Sequence, residues 1–322
     1  MVISIIIPVY NVAPYIERSL KSVMGQTYAG DMECLLVDDC GSDDSMAIAE
    51  RVIGAYTGPI RFRILHHDHN RGLSAARNTG TDAATGDYVL YLDSDDELAE
   101  DCIEKLMRPV EEDATVEMVV GNYASYSSRG NQSIRDQQER DVNSQKAIRD
   151  FFFCRRGFYI NAWNKLVKKE LLDGHQIGFK EGVLWEDNLW TFFLLKHLSH
   201  VCLIPDVTYL HYKRPQSITL GTERERKVKH WKIVYEEIAD NFTAGKAGKE
   251  ARYFIRYVVF QMTRNQKSEE LHEIAKPYLK ALYDDHDYLA WLFYSGIVAV
   301  SRCAWGRKLL HDVVGYLIGV FK

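Results

Sequence analysis

The stretch GDYVLYLDSDDE (86–97) runs an apolar strand directly into a cluster of acidic side chains. Four acids follow the strand within five positions: Asp93, Asp95, Asp96 and Glu97. Crowded carboxylates raise one another's pKa unless a cation lies between them, and Mg2+ and Mn2+ prefer oxygen ligands. The stretch therefore indicates a metal site at a strand end. The alternative is an acidic turn that caps the next helix, because Ser94, Asp95 and Asp96 are all good N-cap residues.

Around this stretch, short apolar runs alternate with helical patterns. Strands are predicted at 2–9, 34–37, 60–66, 88–92 and 116–120, and helices at 43–56, 73–84 and 98–110, with another beginning at Pro14. This order is typical of an α/β protein whose mostly parallel sheet is sandwiched by helices.

Three of the predicted strands end in polar segments: PVYN (8–11), DDCGSD (38–43) and DSDD (93–96). Ligands of open α/β sheets bind beyond the carboxyl ends of the strands, so we expect one site lined by all three. There Tyr10 would stack on a planar base, Asp39 would accept the imino hydrogen of uracil, and the acids would hold a metal against a diphosphate. As alternatives, Tyr10 is a surface aromatic, and Asp43 or Ser45 only caps a helix.

Composition narrows the class of protein. The chain has 322 residues, 46% of them hydrophobic, and a formal net charge of -5, which predicts a globular protein and gives no support to a nucleic-acid partner. The six cysteines have no CxxC pair and no zinc spacing, so reduced cytoplasmic thiols are expected. No run reaches the ~20 apolar residues needed to span a bilayer. A soluble or peripheral protein is therefore expected.

Four segments carry a family resemblance: IPVYN (7–11), LLVDDCGSDDS (35–45), NRGLSAARNTG (70–80) and GDYVLYLDSDD (86–96). In this order and spacing they resemble the inverting family 2 glycosyltransferases of the GT-A fold, over about the first 220 residues. The resemblance implies a GT-A type α/β fold and a nucleotide-sugar donor, usually carrying UDP, bound with Mg2+ or Mn2+. One departure is Cys40-Gly41, which stands where the family often has Gly-Ser.

The resemblance also implies roles for single residues. Asp39 matches the uracil-contacting carboxylate, and Asp93 and Asp95 match the DxD acids, with Asp95 the more direct metal ligand and Asp93 nearer the ribose. The residues expected at the donor are Pro8, Tyr10, Asn11, Asp39, Arg71, Arg77, Asp93 and Ser94. Arg71 or Arg77 would face the diphosphate; alternatively, Arg77 pairs with an acid of the cluster and never touches substrate.

The second half supplies candidates for the remaining chemistry. Segment 179–190, FKEGVLWEDNLW, resembles the family's acidic pair that opens a helix under the acceptor site, and the matching catalytic base is Asp187. Helix capping is the alternative. His211 is a candidate metal ligand beside Asp95 and Asp93, or a structural histidine. Trp163 is a candidate sugar platform, or a core tryptophan.

The resemblance fades beyond residue 222. We therefore predict a catalytic domain at 1–222 and a helical extension at 223–322. Within the extension, 289–322 combines apolar helical faces with basic residues, which favours helices lying in a membrane interface. Packing on the catalytic domain, or a dimer contact, is the alternative. The sequence leaves the oligomeric state open.

The leading hypothesis is a metal-dependent inverting glycosyltransferase of surface polysaccharide synthesis. It would act on a saccharide or lipid-linked acceptor at the cytoplasmic face of the cell membrane. A nucleotidyltransferase is a second enzyme class, but it would need a glycine-rich, lysine-bearing first loop, and PVYN (8–11) is not one. A third possibility is a non-catalytic nucleotide-sugar-binding or scaffold protein of the same fold.

Overall fold

The computed structural model describes residues 1–127, 132–134, 137–155, 160–214, 224–242, 250–252, 254 and 268–300. Its residue contacts divide the chain into two compact units. One comprises Met1–Ile148 and Ile160–Thr222, and the other Arg149–Tyr159 and Glu223–Lys322. The division into a catalytic domain at 1–222 and an extension at 223–322 stays a prediction.

The first unit is built on one ten-stranded sheet. Its strands are β1 (Val2–Val9), β2 (Asp31–Asp38), β3 (Arg61–His66), β4 (Tyr88–Tyr91), β5 (Glu97–Leu98), β6 (Met118–Tyr126), β7 (Gln132–Ile134), β8 (Arg140–Val142), β9 (Lys165–Lys168) and β10 (Val201–Tyr212). Their order is β3-β2-β1-β4-β9-β6-β10-β5, with β7 beside β6 and β8 beside β10. Six strands, β1, β2, β3, β4, β6 and β10, run in one direction, and β9 separates β4 from β6 as an antiparallel insertion.

Helices flank this sheet. In the first unit before residue 200 these are α1 (Ile16–Met24), α2 (Ser45–Gly54), α3 (Leu73–Ala83), α4 (Cys102–Glu112), α6 (Lys169–Gly174) and α7 (Glu186–His197), while α5 (Gln145–Arg155) begins in the first unit and ends in the second. The predicted α/β class with a mostly parallel sheet between helices is confirmed. The continuous apolar run of β1 follows from burial on both faces: α3 approaches so closely that a Cβ at Gly80 would lie 2.4 Å from Ile6 Cγ2, while Ile3 and Ile5 join the core on the other side.

The largest difference at a helix start is at α4. A helix was expected from residue 98, but α4 begins at Cys102, and Glu97–Leu98 pairs antiparallel with Tyr209 and Leu210 of β10. Leu98 is buried in that pairing, and the Asp96 amide closes a turn on the Asp93 carbonyl. The acidic cluster therefore lies in a turn between β4 and β5, and it does not cap α4.

The second unit contains α8 (Arg224–Asp240), α9 (Ser268–Asp284) and α10 (Tyr288–Val300). The Tyr278 hydroxyl of α9 is buried and donates to the Tyr235 carbonyl of α8, which ties these two helices together. On α10, Leu289 and Leu292 are exposed. Within the predicted extension, residues 223, 243–249, 253, 255–267 and 301–322 lie outside the described residues. In the part of the chain that is described, no helix is long and apolar enough to cross a membrane.

Candidate active site

Asp39 is buried just beyond the end of β2, where backbone groups fix its carboxylate. It accepts hydrogen bonds from the Arg71 amide at 2.7 Å and the Gly72 amide at 2.8 Å, and its Oδ1 lies 2.7 Å from His67 Nδ1. Gly72 provides its amide from a backbone with φ of +90°, a conformation that L side chains rarely adopt. An ionised carboxylate has about four acceptor positions, so the described residues use three and leave one for a ligand N–H.

The end of β1 lies beside the loop that follows β2. Pro8 is inside β1, and the next residues turn outward: Tyr10 is 47% exposed and Asn11 has a left-handed φ of 52°. The Asn11 side chain accepts a hydrogen bond from the Ser42 amide at 2.7 Å, which joins the two loops. Asp43 accepts from two backbone amides, so it supports the loop. Tyr10 is the residue at this edge that offers an open aromatic surface.

The three aspartates of the acidic turn have different surroundings. Asp96 is buried and accepts from the Tyr209 hydroxyl at 2.9 Å and the Tyr212 amide at 2.8 Å. Burial first, and then Asp95 and Asp93, raise its pKa well above the usual value. Asp96, one of the candidate N-cap residues for the next helix, contacts β10 instead. Burial, followed by the charge of Asp93, also raises the pKa of Asp95.

Asp95 has a cationic partner just beyond the end of β10. Arg214 forms an ion pair with the Asp95 carboxylate, and its guanidinium lies 4.6 Å from the Tyr15 ring centre. Arg18 of α1 donates to the Asp95 carbonyl at 2.5 Å and lies over the Tyr212 ring at 3.9 Å. No sequence motif singled out Arg18. The sequence indicates Arg18 only weakly, as an arginine on the helix that follows the first strand.

Arg77 joins the acidic turn to the start of α7. Its side chain is fully buried, with Nη2 at 2.8 Å from Asp93 Oδ1, and Nη1 at 2.8 Å from Glu186 Oε1 and 3.0 Å from Asp187 Oδ1. Its guanidinium also lies 5.1 Å from the Phe179 ring centre. Of the two roles considered, this geometry corresponds to pairing with acids. A direct contact of Arg77 with diphosphate stays a prediction.

The two acids of α7 titrate abnormally because they are crowded and buried. Burial and the neighbouring Asp187 raise the pKa of Glu186 to about 7. Burial also raises the pKa of Asp187, although Arg77, Lys165 and the Ala162 amide oppose that shift. Neither acid is the N-cap, since that position is occupied by Trp185 with a left-handed φ of 61°. The turn at Trp185 is strained for a bulky residue, and strain of this kind is concentrated at functional sites.

His211 and Trp163 lie together at the end of β10. The His211 ring is stacked on the Trp163 indole at 5.3 Å, and its Nδ1 lies 3.1 Å from Ser125 Oγ. Because Nδ1 is engaged by a hydroxyl, Nε2 is the nitrogen left for a metal. Burial lowers the pKa of His211, so the ring is neutral near pH 7, as ligation requires. Trp163 also stacks on Tyr209 at 4.6 Å and packs against the core.

The structure thus brings several predicted residues into direct contact and leaves others apart. Asp93, Arg77 and Asp187 form one cluster, and Asp93 is close enough to His211 to affect its pKa. Ser94 is buried between the two DxD acids. Arg71 forms a partly exposed pair with Glu181 at 3.2 Å, and its amide binds Asp39. The ligand roles predicted for these residues stay predictions.

Comparison with known proteins identifies the family. The model of glycosyl transferase family 2 matches residues 4–176, more than half of the chain. The chain belongs to glycosyl transferase family 2. Its similarity to glycosyltransferase GlyG of Streptococcus pneumoniae serotype 4 (strain ATCC BAA-334 / TIGR4) is 31% identity over 228 residues, which cover 67% of this chain and 72% of GlyG. The family predicted from the four segments is confirmed.

Solved structures confirm the fold of this family 2 chain. TarS 1-349 of S. aureus in complex with UDP-GlcNAc is similar with a TM-score of 0.73 and 19% identity, over 98% of this chain and 90% of that one. The mannosyltransferase PcManGT from Pyrobaculum calidifontis, in complex with GDP-Man and Mn2+, is similar with a TM-score of 0.59 and 20% identity, over 98% of this chain and 84% of that one. At this level of identity the likeness establishes a shared GT-A fold.

Proposed function

We propose that this family 2 chain is a metal-dependent inverting glycosyltransferase. It would move a sugar from a nucleotide-diphosphate donor, with UDP as the expected nucleotide, to a hydroxyl of a saccharide or lipid-linked acceptor. The observation that carries the proposal is the Arg77 cluster. One guanidinium holds Asp93, from the predicted donor side, and Asp187, from the predicted acceptor side, each within 3.0 Å. Transfer needs a base and a leaving-group site next to each other, and this cluster supplies that proximity.

Donor binding is supported by the loops beyond β1 and β2. The open acceptor position of Asp39 suits an imino N–H, and the exposed ring of Tyr10 suits stacking on a base. Both features fit a uracil nucleotide, and the similar TarS structure holds UDP-GlcNAc. Because the described contacts of Asp39 fix its orientation before any ligand arrives, little ordering would be lost on binding.

The acidic turn fits a hard divalent cation. Asp95 and Asp93 would hold Mg2+ or Mn2+ through oxygen, with His211 Nε2 as a further ligand. Mutual repulsion helps to raise the pKa of Asp95 and Asp96, and a cation would relieve it. When bound, the ion would neutralise charge on the departing diphosphate. Arg214 pairs with Asp95, and its guanidinium would bind the same diphosphate. The similar PcManGT structure contains Mn2+.

Asp187 is the proposed base. The acceptor hydroxyl would lose its proton to Asp187 while its oxygen bonds to the anomeric carbon, opposite the breaking bond to diphosphate oxygen. Burial raises the pKa of Asp187, which strengthens it as a base, while Arg77, Lys165 and the Ala162 amide favour its ionised form. Direct displacement of this kind inverts the anomeric configuration.

Asp187→Asn tests the base, because it keeps the size and removes basicity. We expect at least a roughly 10²-fold loss of turnover, with the donor still protecting the chain against thermal unfolding. A panel of UDP- and GDP-sugars with Mn2+ identifies the donor for this assay. Glu170→Gln is the matched control, since Glu170 is an exposed acid of α6. Near-normal turnover of Asp187→Asn would refute the base, and a wild-type chain that binds but never turns over would favour the non-catalytic alternative.

We further propose that the protein acts in surface polysaccharide synthesis at the cytoplasmic face of the cell membrane, bound peripherally through 289–322. On α10, Leu289 is 83% exposed and Leu292 59% exposed, an arrangement that suits an apolar membrane interface. Sedimentation with anionic lipid vesicles tests this. The double variant Leu289→Glu, Leu292→Glu should remain in the supernatant while the wild type pellets. Equal sedimentation of both would refute a membrane role for this helix.

A further inference from the structure

Asp141, His200 and Cys202 bring three metal-binding atoms together at the opposite end of β10 from the acidic turn. The antiparallel pairing of β8 with β10 sets Asp141 directly across from Cys202, and His200 comes two residues earlier on the same face. His200 Nε2 lies 2.7 Å from Asp141 Oδ1, and Cys202 Sγ lies 3.8 Å from that oxygen and 3.9 Å from Nε2. Cys202 and His211 are nine residues apart on this strand, which at ~3.3 Å per residue separates the two sites by roughly 30 Å.

The hydrogen bonds around His200 determine which nitrogen carries the proton. The Asp113 carboxylate only accepts, and the hydroxyl of Thr115 donates to it at 2.7 Å. That hydroxyl has a single hydrogen, so toward His200 Nδ1, at 2.8 Å, it must accept. The Nδ1–H is therefore fixed, and Nε2 presents a lone pair to the Asp141 carboxylate. Two lone pairs at 2.7 Å require a cation between them, either a proton or a metal ion.

The distances suit a tetrahedral ion with a thiolate ligand. Zinc binds sulfur at about 2.3 Å and nitrogen or oxygen at about 2.0 Å, so tetrahedral angles separate such ligands by about 3.3–3.6 Å. The observed separations of 2.7, 3.8 and 3.9 Å bracket that range. The Asp141 carboxylate is exposed, so it can move away from His200 and lengthen the 2.7 Å separation. The Thr115 and Asp113 contacts form the outer hydrogen-bond support that metal-binding histidines ordinarily have.

We propose that Asp141 Oδ1, His200 Nε2 and Cys202 Sγ bind a divalent ion of the zinc class, with the fourth position open to solvent. Thiolate with imidazole selects such an ion over Mg2+, which prefers oxygen. On binding, the Cys202 thiol releases its proton to solvent and its sulfur forms the bond to the metal. The ion would join β8 to β10 through side chains. Because none of these atoms belongs to the acidic turn, the site would be structural and independent of sugar transfer.

Cobalt titration of the full-length protein, stripped of metal by a chelator, tests the site without an activity assay. Co2+ bound by a thiolate gives a strong sulfur-to-metal charge-transfer band, whereas Co2+ on the oxygen ligands of the acidic turn does not. We expect one such band, saturating at one ion per chain and displaced by Zn2+. Cys202→Ser should abolish it, and Cys40→Ser, which removes an exposed thiol elsewhere in the first unit, should leave it unchanged.

Two further measurements keep the proposal testable if Cys202→Ser fails to fold. Zn2+ should slow maleimide labelling of Cys202 in the wild type at least tenfold, as resolved by peptide mapping. Thr115→Val, which removes the acceptor for Nδ1–H, should weaken Co2+ binding about 10-fold or more. The proposal is overturned if the wild type shows no thiolate band while Cys202 is reduced, if the band survives in Cys202→Ser, or if Zn2+ leaves the labelling rate of Cys202 unchanged.

Discussion

Replacing Arg77 with methionine is expected to destabilise the first unit, and to do so most at alkaline pH. Methionine keeps much of the buried volume but removes the positive charge shared by Asp93, Glu186 and Asp187. Three carboxylates would then face one another without the guanidinium. The variant therefore isolates the electrostatic contribution of Arg77 from its packing.

The expected loss of unfolding free energy follows from the exposed fractions of the four side chains. The Arg77 side chain is 2% exposed, and those of its three partners are 26%, 10% and 22% exposed, so these pairs resemble buried ion pairs more than surface ones. Removing one member of a buried pair costs about 3–5 kcal/mol of unfolding free energy. We expect a loss of that order near pH 8.

The pH dependence has a definite sign. The pKa of Glu186 is already about 7 in the folded chain, above its unfolded value, and loss of the guanidinium raises the pKa of Glu186 and Asp187 further. An acid with a raised folded pKa contributes stability below its unfolded pKa and loses it as the pH rises through the folded pKa. The destabilisation should therefore be small at pH 5 and large at pH 8.

Urea unfolding followed at pH 5, 6, 7 and 8 measures this difference directly. Arg51→Met is the matched control, because Arg51 forms an exposed pair with Glu17, and exposed pairs contribute about 0–1 kcal/mol. A variant of Arg77 that is as stable as the wild type at pH 8, or equally destabilised at every pH, would refute the reasoning.

Gly80→Ala should lower stability by about 1–3 kcal/mol because its Cβ would lie 2.4 Å from Ile6 Cγ2, and in urea unfolding the double variant with Ile6→Ala, which removes that carbon, should lose less stability than the two single variants together. Gln176→Gly should raise the unfolding free energy by about 0.5–1 kcal/mol, measured against Gln176→Ala, because this exposed residue has φ of 53°. Asp96→Asn should flatten the fall in stability between pH 5 and pH 8, because it removes an acid whose folded pKa is raised; unchanged pH dependence of the urea midpoint would contradict this.

The fold was predictable wherever burial alone sets the pattern. β1 is covered on both faces, so its sequence is a continuous apolar run, and its predicted bounds at 2–9 are confirmed. The error at residue 98 has a non-local cause, because Leu98 pairs with Tyr209, more than a hundred residues away. β9 was not predicted at all. It is four residues long, and its first residue, Lys165, is buried although lysine normally indicates a surface position.

The site was predictable residue by residue but not as an arrangement. Motifs indicated Asp93 and Asp187 separately, because each carries its own local signature. The sequence left two roles open for Arg77, and only the folded chain puts its guanidinium between the two acids. The three-residue cluster at Cys202 carried no signal either, since strand pairing rather than spacing assembles it.

The Arg77 cluster links the two halves of the proposed reaction. The charge of Asp93 is among the causes that raise the pKa of Asp187, and Arg77 is the principal opposing charge. A cation bound beside Asp93 would oppose that repulsion and lower the pKa of Asp187. Because linkage is reciprocal, ionisation of Asp187 would in turn favour the cation. The base would thus be more fully ionised when the metal is in place, and a chain without the metal would keep Asp187 less ready to take a proton.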